Sequence, residues 1–382
     1  MMRFCISDDD RAVQDIFRRF ASEILAPAAR EIDELAQFAG RHFPALAKLG
    51  AMGINLPVEY GGAGVSPVGL YLAVEAMAGG CMSTASAVTA HYMASDAILI
   101  GGSEALKRKY LPRAASGEWV GAYGMTEPRG GSNPADIRVR AQQDGDQYRI
   151  NGTKHFISNG GIADFVVLFC VTDPNAEKKH RGISAIVVDR GTPGFSVGKI
   201  EPTMGLRGGH VFELNFDDCL VPLENLVGAE GTGFKTAMIG LDGARLDVAA
   251  MCTGLARAAL DAAVAWAKQR QVDGTPIADF QGIQWMLADM ATQLEAARAL
   301  GLIAAAERGC GERYTRQATF AKLFASEMVG KVTDLALQIH GGYGYSRELP
   351  LERYVRDARI ARIFDGSSEV HRNIIAKSLL SE

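Results

Sequence analysis

Asp144-Gly-Asp-Gln-Tyr-Arg-Ile-Asn-Gly152 holds two hairpin-type turn signals, Asp144-Gly145 and Asn151-Gly152, around the β-forming run Tyr148-Arg-Ile150. Asp-Gly and Asn-Gly pairs supply the positive φ angles that tight hairpin turns require. Comparable β-branched and aromatic runs follow at Phe165 to Val171, Ile183 to Val188 and Val211 to Phe216, broken by Gly, Pro or Asp. No long helical pattern interrupts Trp119 to Leu226. This part is therefore expected to be an antiparallel β domain, a barrel or a sandwich.

Both flanks read as helical. Val13, Ile16, Phe17 and Phe20 repeat at helical spacing, and Ala45 to Met52 and Val68 to Met77 continue the pattern. Asn55 to Gly64 is a turn-rich break, and a helix from Ser103 to Leu111 is expected to stop at Pro112. After Gly231 the helices are long: Phe234 to Gln269, Phe280 to Arg308 and Arg316 to Ile339. Ile283, Leu287, Met290, Leu294 and Ala297 form one apolar stripe, while Ala249, Ala250, Gly254, Ala258 and Ala259 permit close helix approach. Short turns between long amphipathic helices indicate a bundle. The expected class is α+β: an all-α domain over 1–118, a β domain over 119–229 and a helical bundle over 230–382.

With 48% hydrophobic and 22% charged residues among 382, the composition is globular and excludes a disordered chain. A net charge of −4 leaves no basic footprint for nucleic acid. No apolar run approaches the roughly 20 residues of a membrane helix, and the N-terminus lacks a signal-peptide pattern, so no membrane partner is expected. Cys5, Cys81, Cys170, Cys219, Cys252 and Cys310 are scattered. Reduced thiols in a cytoplasmic protein are the expectation, with no metal site. Gly228 to Thr236 resembles a phosphate loop but puts Phe234 between Gly233 and Lys235, and no GxGxxG follows a strand. Glu177 to Arg181 reads as a solvated loop.

Four stretches can carry chemistry. Tyr123-Gly-Met-Thr-Glu-Pro-Arg-Gly-Gly-Ser132 is a Gly-rich turn full of backbone donors that can approach a planar ring or an anion closely. Lys154-His-Phe-Ile-Ser-Asn-Gly160 ends a strand with an aromatic and a hydroxyl. Ile339-His-Gly-Gly-Tyr-Gly-Tyr345 breaks a helix with glycines. Ile363-Phe-Asp-Gly-Ser-Ser-Glu369 sets an acid before a cap-like Ser pair. With Gly205-Leu-Arg-Gly-Gly209 and Arg270-Gln-Val-Asp-Gly274, these stand in the order and spacing of the acyl-CoA dehydrogenase family, which the chain resembles over nearly its whole length.

The resemblance implies three domains, the last a four-helix bundle, usually in a homotetramer, with non-covalent FAD between β domain and bundle. By position, Tyr123, Met125, Thr126, Phe156 and Ser158 should line the flavin. Arg270, Gln281, Gln338 and Gly342, with Ser367 and Glu369, should hold the rest of the FAD, partly across subunits. Ser132, Asp242, Arg245 and Gly366 fall at substrate-binding positions. Asp365 occupies the place of the usual catalytic glutamate. Ala244 stands where some relatives carry the base instead, and alanine cannot abstract a proton. The implied reaction is α,β-dehydrogenation of an acyl-CoA, with an electron-transfer flavoprotein as acceptor. No segment follows residue 382, from which short, branched or cyclic acyl groups are expected. An oxidase-type reaction on the same flavin, or a non-catalytic binding member, are the alternatives.

The chain departs from the family pattern in places. Asp365 is one methylene shorter than glutamate, and capping of the helix that follows is its alternative role; Asp96 is a reserve acid. Asp273 replaces an aromatic near the FAD adenosine, so Asp273→Phe is expected to tighten FAD binding. Asn133 and Gly209 are milder replacements.

Overall fold

The computed structural model describes residues 6–381, which leaves Cys5 outside the description. Six helices come first: α1 (Asp8–Phe20), α2 (Ala26–Glu34), α3 (Phe43–Lys48), α4 (Pro67–Gly80), α5 (Met82–Gly101) and α6 (Glu104–Ala115). Ser7 caps α1, its hydroxyl accepting from Asp10 N–H while the Asp10 carboxylate reaches back, a complete capping box. Pro112 does not stop α6, which runs on to Ala115. Buried Leu111, Ala114 and Ala115 hold that last turn in place, and this packing outweighs the hydrogen bond that proline removes.

Strands β1 (Gly121–Gly124), β2 (Arg140–Asp144), β3 (Gln147–Ser158), β4 (Phe165–Val171), β5 (Ile183–Asp189), β6 (Phe195–Ile200), β7 (Val211–Pro222) and β8 (Leu226–Val227) form one sheet. Its order is β6-β7-β3-β2-β4-β5-β8, with β1 also paired to β4. Most pairs are antiparallel, as expected, but β1 and β2 each run parallel to β4. Other strands lie between β1 or β2 and β4 in the chain, so neither pair is a hairpin and nothing forces an antiparallel pairing there. The β3–β7 register slips between Lys154 and Ile157, and Phe156 in that bulge has φ +56° and lies 57% exposed. A bulge re-aims one side chain out of the pleat, and here it turns an aromatic ring outward.

The rest is helical: α7 (Gly233–Gln269), a two-stranded hairpin β9 (Gln271–Val272) and β10 (Thr275–Pro276), then α8 (Gln281–Gly309), α9 (Thr315–His340), α10 (Gly342–Tyr345), α11 (Leu351–Arg359) and α12 (Ser368–Leu380). By length and composition α7 could cross a membrane, yet the chain buries most of it. It packs on α4, α5, α8, α9 and β5. The small-residue face permits this, since a Cβ on Gly254 would fall 2.0 Å from the Glu75 carbonyl oxygen of α4.

One buried ion pair joins the middle domain to the Thr126 loop. Lys154 Nζ, fully buried, donates to Glu127 Oε1 at 2.8 Å and to the Met125 carbonyl at 2.9 Å. Glu127 also accepts from the N–H groups of Arg138 (2.8 Å) and Val139 (2.9 Å). Removing one partner of such a pair strands a buried charge, a loss of about 3–5 kcal/mol. Lys154→Met should lower unfolding free energy by that amount in denaturant titrations. Lys109→Ala, which loses an exposed pair with Asp189 and an exposed contact over the Tyr110 ring, should change it by no more than about 1 kcal/mol.

Candidate active site

Asp365 and Gly366 form a left-handed turn, φ +51° and +100°, between the one-turn helix Ile360–Arg362 and α12. Asp365 is half-buried and does not cap α12; Ser367 does, accepting from Val370 N–H. Its carboxylate is therefore free for another task. Beneath the turn, Lys322 of α9 is completely buried and donates from Nζ to the Gly366 carbonyl. His371 of α12, also completely buried, lies so close that a Cβ on residue 366 would sit 3.0 Å from its Nε2. Only glycine fits at 366.

Burial raises the pKa of Asp365, opposed first by the charge of Lys322 and then by that of Arg245. The same burial brings Lys322 down to about 8, with Asp365 opposing, and His371 down to about 3. The turn thus holds a carboxylate made more basic than usual, beside a cation that keeps it from becoming permanently protonated. Lys322 and His371 were not singled out from the sequence. A lysine among the small and apolar residues on the buried face of α9 was the available signal.

On α7, Asp242 and Arg245 are buried and paired at 2.7 Å, and Thr315 Oγ1 donates to the other Asp242 oxygen at 2.5 Å. Arg245 Nε has no partner, and its charge reaches Asp365 and Lys322, so this expected substrate pair lies near the Asp365 turn. Two residues on, Asp247 is 5% exposed and its pKa is pushed up to about 8, chiefly by burial. It too senses Asp365.

The sheet supplies the opposite wall. The charge of Asp365 adds to the burial that raises the Tyr123 hydroxyl pKa, so β1 looks toward the turn. Tyr123 packs on Phe169 with ring centroids 4.7 Å apart, and its hydroxyl meets Met125 Sδ at 3.9 Å. The Thr126 and Ser158 hydroxyls make no side-chain hydrogen bond among the described residues, and Phe156 projects beside them. Free hydroxyls next to an uncovered aromatic are what a flat heteroaromatic ring needs, so these residues fit a flavin. Ser132 lies exposed on the adjoining loop.

A second group sits at the bundle end. Arg270, Gln281, Gln338 and Gly342 are exposed, and the Arg270 guanidinium lies 6.0 Å from the Tyr343 ring centroid, whereas exposed Glu369 sits in the first turn of α12 beside the Asp365 turn. Nothing lies within 4 Å of where a Cβ on Gly341 or Gly342 would be, leaving an open backbone cradle. Asp273 has a different explanation from the one its position suggested. Asp273 (φ +50°) and Gly274 (φ +79°) are the two turn residues joining β9 to β10. Aspartate adopts that left-handed angle more readily than phenylalanine, so Asp273→Phe adds backbone strain that opposes any gain in packing.

Residues 7–118, 122–219 and 231–380 match the N-terminal, middle and C-terminal domain families of acyl-CoA dehydrogenases. The chain belongs to the acyl-CoA dehydrogenase family. It is accordingly an oxidoreductase of a flavoprotein family. It is 44% identical to the acryloyl-CoA reductase (NADH) of Anaerotignum propionicum, covering 99% of this chain and 96% of that one. Among solved structures, butyryl-CoA dehydrogenase of Megasphaera elsdenii is 39% identical with a TM-score of 0.96, covering 99% of this chain and 100% of that one. A chain solved with the electron-transferring flavoprotein of Acidaminococcus fermentans is 41% identical with a TM-score of 0.97, both chains covered in full.

Asp247 bears on stability. Its folded pKa lies above the unfolded value, so its contribution is intact at low pH and is lost as pH climbs from the ordinary carboxylate range to about 8. The unfolding free energy of Asp247→Asn relative to wild type should therefore rise between pH 5 and 8, by at most about 1.4 kcal/mol per pH unit, and then level off. Urea titrations at several pH values check this.

Proposed function

We propose that the chain dehydrogenates the Cα–Cβ bond of an acyl-CoA thioester with Asp365 as the base. The observation carrying this reading is the turn itself: a carboxylate that caps nothing, made more basic by burial and balanced by Lys322 and Arg245. Such an acid can take the α-proton of a thioester and hold it at its own oxygen. The Gly366 N–H, set by the same turn, points a backbone donor at the negative charge developing on the thioester oxygen.

FAD, when bound, accepts the β-hydride. Tyr123, Met125, Thr126, Phe156 and Ser158 would line its ring, and Arg270, Gln281, Gln338, Gly342, Ser367 and Glu369 its remainder. These two groups lie on different layers of one chain, which supports cofactor contacts shared between subunits and hence a homotetramer. Ser132, Asp242 and Arg245 complete the thioester site. The same residues serve the reverse reaction, Asp365 then giving its proton to the α-carbon of an enoyl thioester. The 44% identical reductase makes the direction a matter of electron partner, and the relative solved with an electron-transferring flavoprotein supports a partner of that kind. Four buried free cysteines and an exposed one suit a cytoplasmic location. The acryloyl-CoA and butyryl-CoA enzymes among its relatives support a short acyl group as substrate.

Anaerobic titration with acyl-CoA should bleach the bound flavin; absence of bleaching with every acyl-CoA would overturn the reading. Asp365→Asn should retain flavin and ligand while slowing flavin reduction at least about 100-fold in stopped flow. Raising pH should speed the wild-type step until Asp365 is fully ionised. Lys322→Met, which removes the charge opposing the upward shift, should move that inflection to higher pH. Light scattering should report four subunits.

A further inference from the structure

The polar groups near Asp365 extend past the turn. Asp247, 5% exposed, has no hydrogen-bond partner among the described residues. It feels Arg308, Asp96 and Asp365 together, one helical turn along α7 from Gly243, where Asp96 and Arg308 meet. Asp96 of α5 accepts from Asn55 Nδ2 at 2.7 Å, and its other oxygen is 3.7 Å from Arg308 Nη2. The Asn55 carbonyl oxygen is buried without a partner. Arg308 makes no hydrogen bond within 3.5 Å among the described residues. Arg308 Nη1, Asp96 Oδ2 and the Tyr314 hydroxyl converge on Gly243, at 3.4, 3.6 and 3.8 Å from where its Cβ would be. Four separate segments thus deliver donors and acceptors to one buried place, and several are left unmatched.

We propose that this cluster receives the distal part of the acyl group, and that the acyl group carries an uncharged hydrogen-bonding substituent of the hydroxyl type rather than a plain alkyl end. The inference rests on the acyl-CoA reading above and names the substrate class for that site. The charges argue for an uncharged group. Arg308 and Asp96 balance one another, and Asp247 is largely protonated at neutral pH. A carboxylate would meet Asp96, and an ammonium would meet Arg308. A hydroxyl donates to Asp96 or the free Asn55 oxygen and accepts from Asp247 or Arg308. An alkyl end would leave these groups dehydrated and unpaired, at about 1–3 kcal/mol for each buried polar group, so discrimination of tenfold or more is expected.

The test compares acyl-CoAs of matched length: 5-hydroxypentanoyl-CoA and hexanoyl-CoA, which differ by a hydroxyl in place of a methyl, with glutaryl-CoA and 5-aminopentanoyl-CoA as charged arms. Dissociation constants come from calorimetry and flavin reduction from anaerobic stopped flow, on the FAD-loaded protein. The hydroxyacyl thioester should bind at least tenfold more tightly than the other three. Asp247→Leu should erase that preference while hexanoyl-CoA still reduces the flavin, and Asp247→Asn should keep part of it. Equal or tighter binding of hexanoyl-CoA to wild type, or a preference for either charged arm, overturns the proposal. A preference unchanged in both variants overturns the role of Asp247. Failure of all four to bleach the flavin overturns the dehydrogenase reading instead, and the calorimetric order still decides this one.

Discussion

Burial of α7 is the constraint on which the molecule rests. A helix of 37 residues that packs on α4, α5, α8, α9 and β5 keeps little surface for its own polar side chains. Each must find a partner inside or open into a cavity. Thr253 meets the Tyr71 hydroxyl at 3.1 Å, and Asp242 meets Arg245 and Thr315. Arg245 Nε and the Asp247 carboxyl are left over, and both sense Asp365. The site forms where the helix cannot satisfy its polar groups internally.

Around the turn, opposed electrostatic effects set the chemistry. Burial alone would hold Asp365 protonated, and a nearby cation alone would make it too weak a base. Lys322 supplies the counter-charge and, through the Gly366 carbonyl, also fixes the backbone. His371 fills the space under Gly366 as a neutral ring, which excludes water without adding charge. The backbone at 365 and 366 is left-handed, a conformation that favours glycine at the second position.

The sheet's part is positional. Lys154 and Glu127 hold the loop bearing Thr126 against β3, and the bulge after Lys154 turns Phe156 outward beside Ser158. An exposed aromatic on a well-packed sheet marks a surface suited to being covered, and the flat ring of a flavin fits that requirement.

The alternation of helical, extended and helical periodicities was legible in the sequence because periodicity is local, and six motifs in register were enough to mark the family and Asp365. Pro112 inside α6 and the parallel pairings of β4 were not legible, since packing and chain crossover decide them. Asp273 was misjudged although its Asp-Gly pair carried a hairpin signal, the same chemistry recognised at Asp144-Gly145. Lys322, His371 and Asp247 lie 43, 6 and 118 positions from Asp365 in the chain and read singly as ordinary polar residues of helices. Their roles depend on dehydration and on charges brought near by folding, and both arise only when α7, α9 and α12 are packed together. The sequence by itself determined the periodicities and the position of Asp365 within a family motif; the tertiary structure decided that carboxyl's strength, its backbone geometry and the polarity of what surrounds it, because electrostatic energy depends on distance through space and on excluded water rather than on distance along the chain.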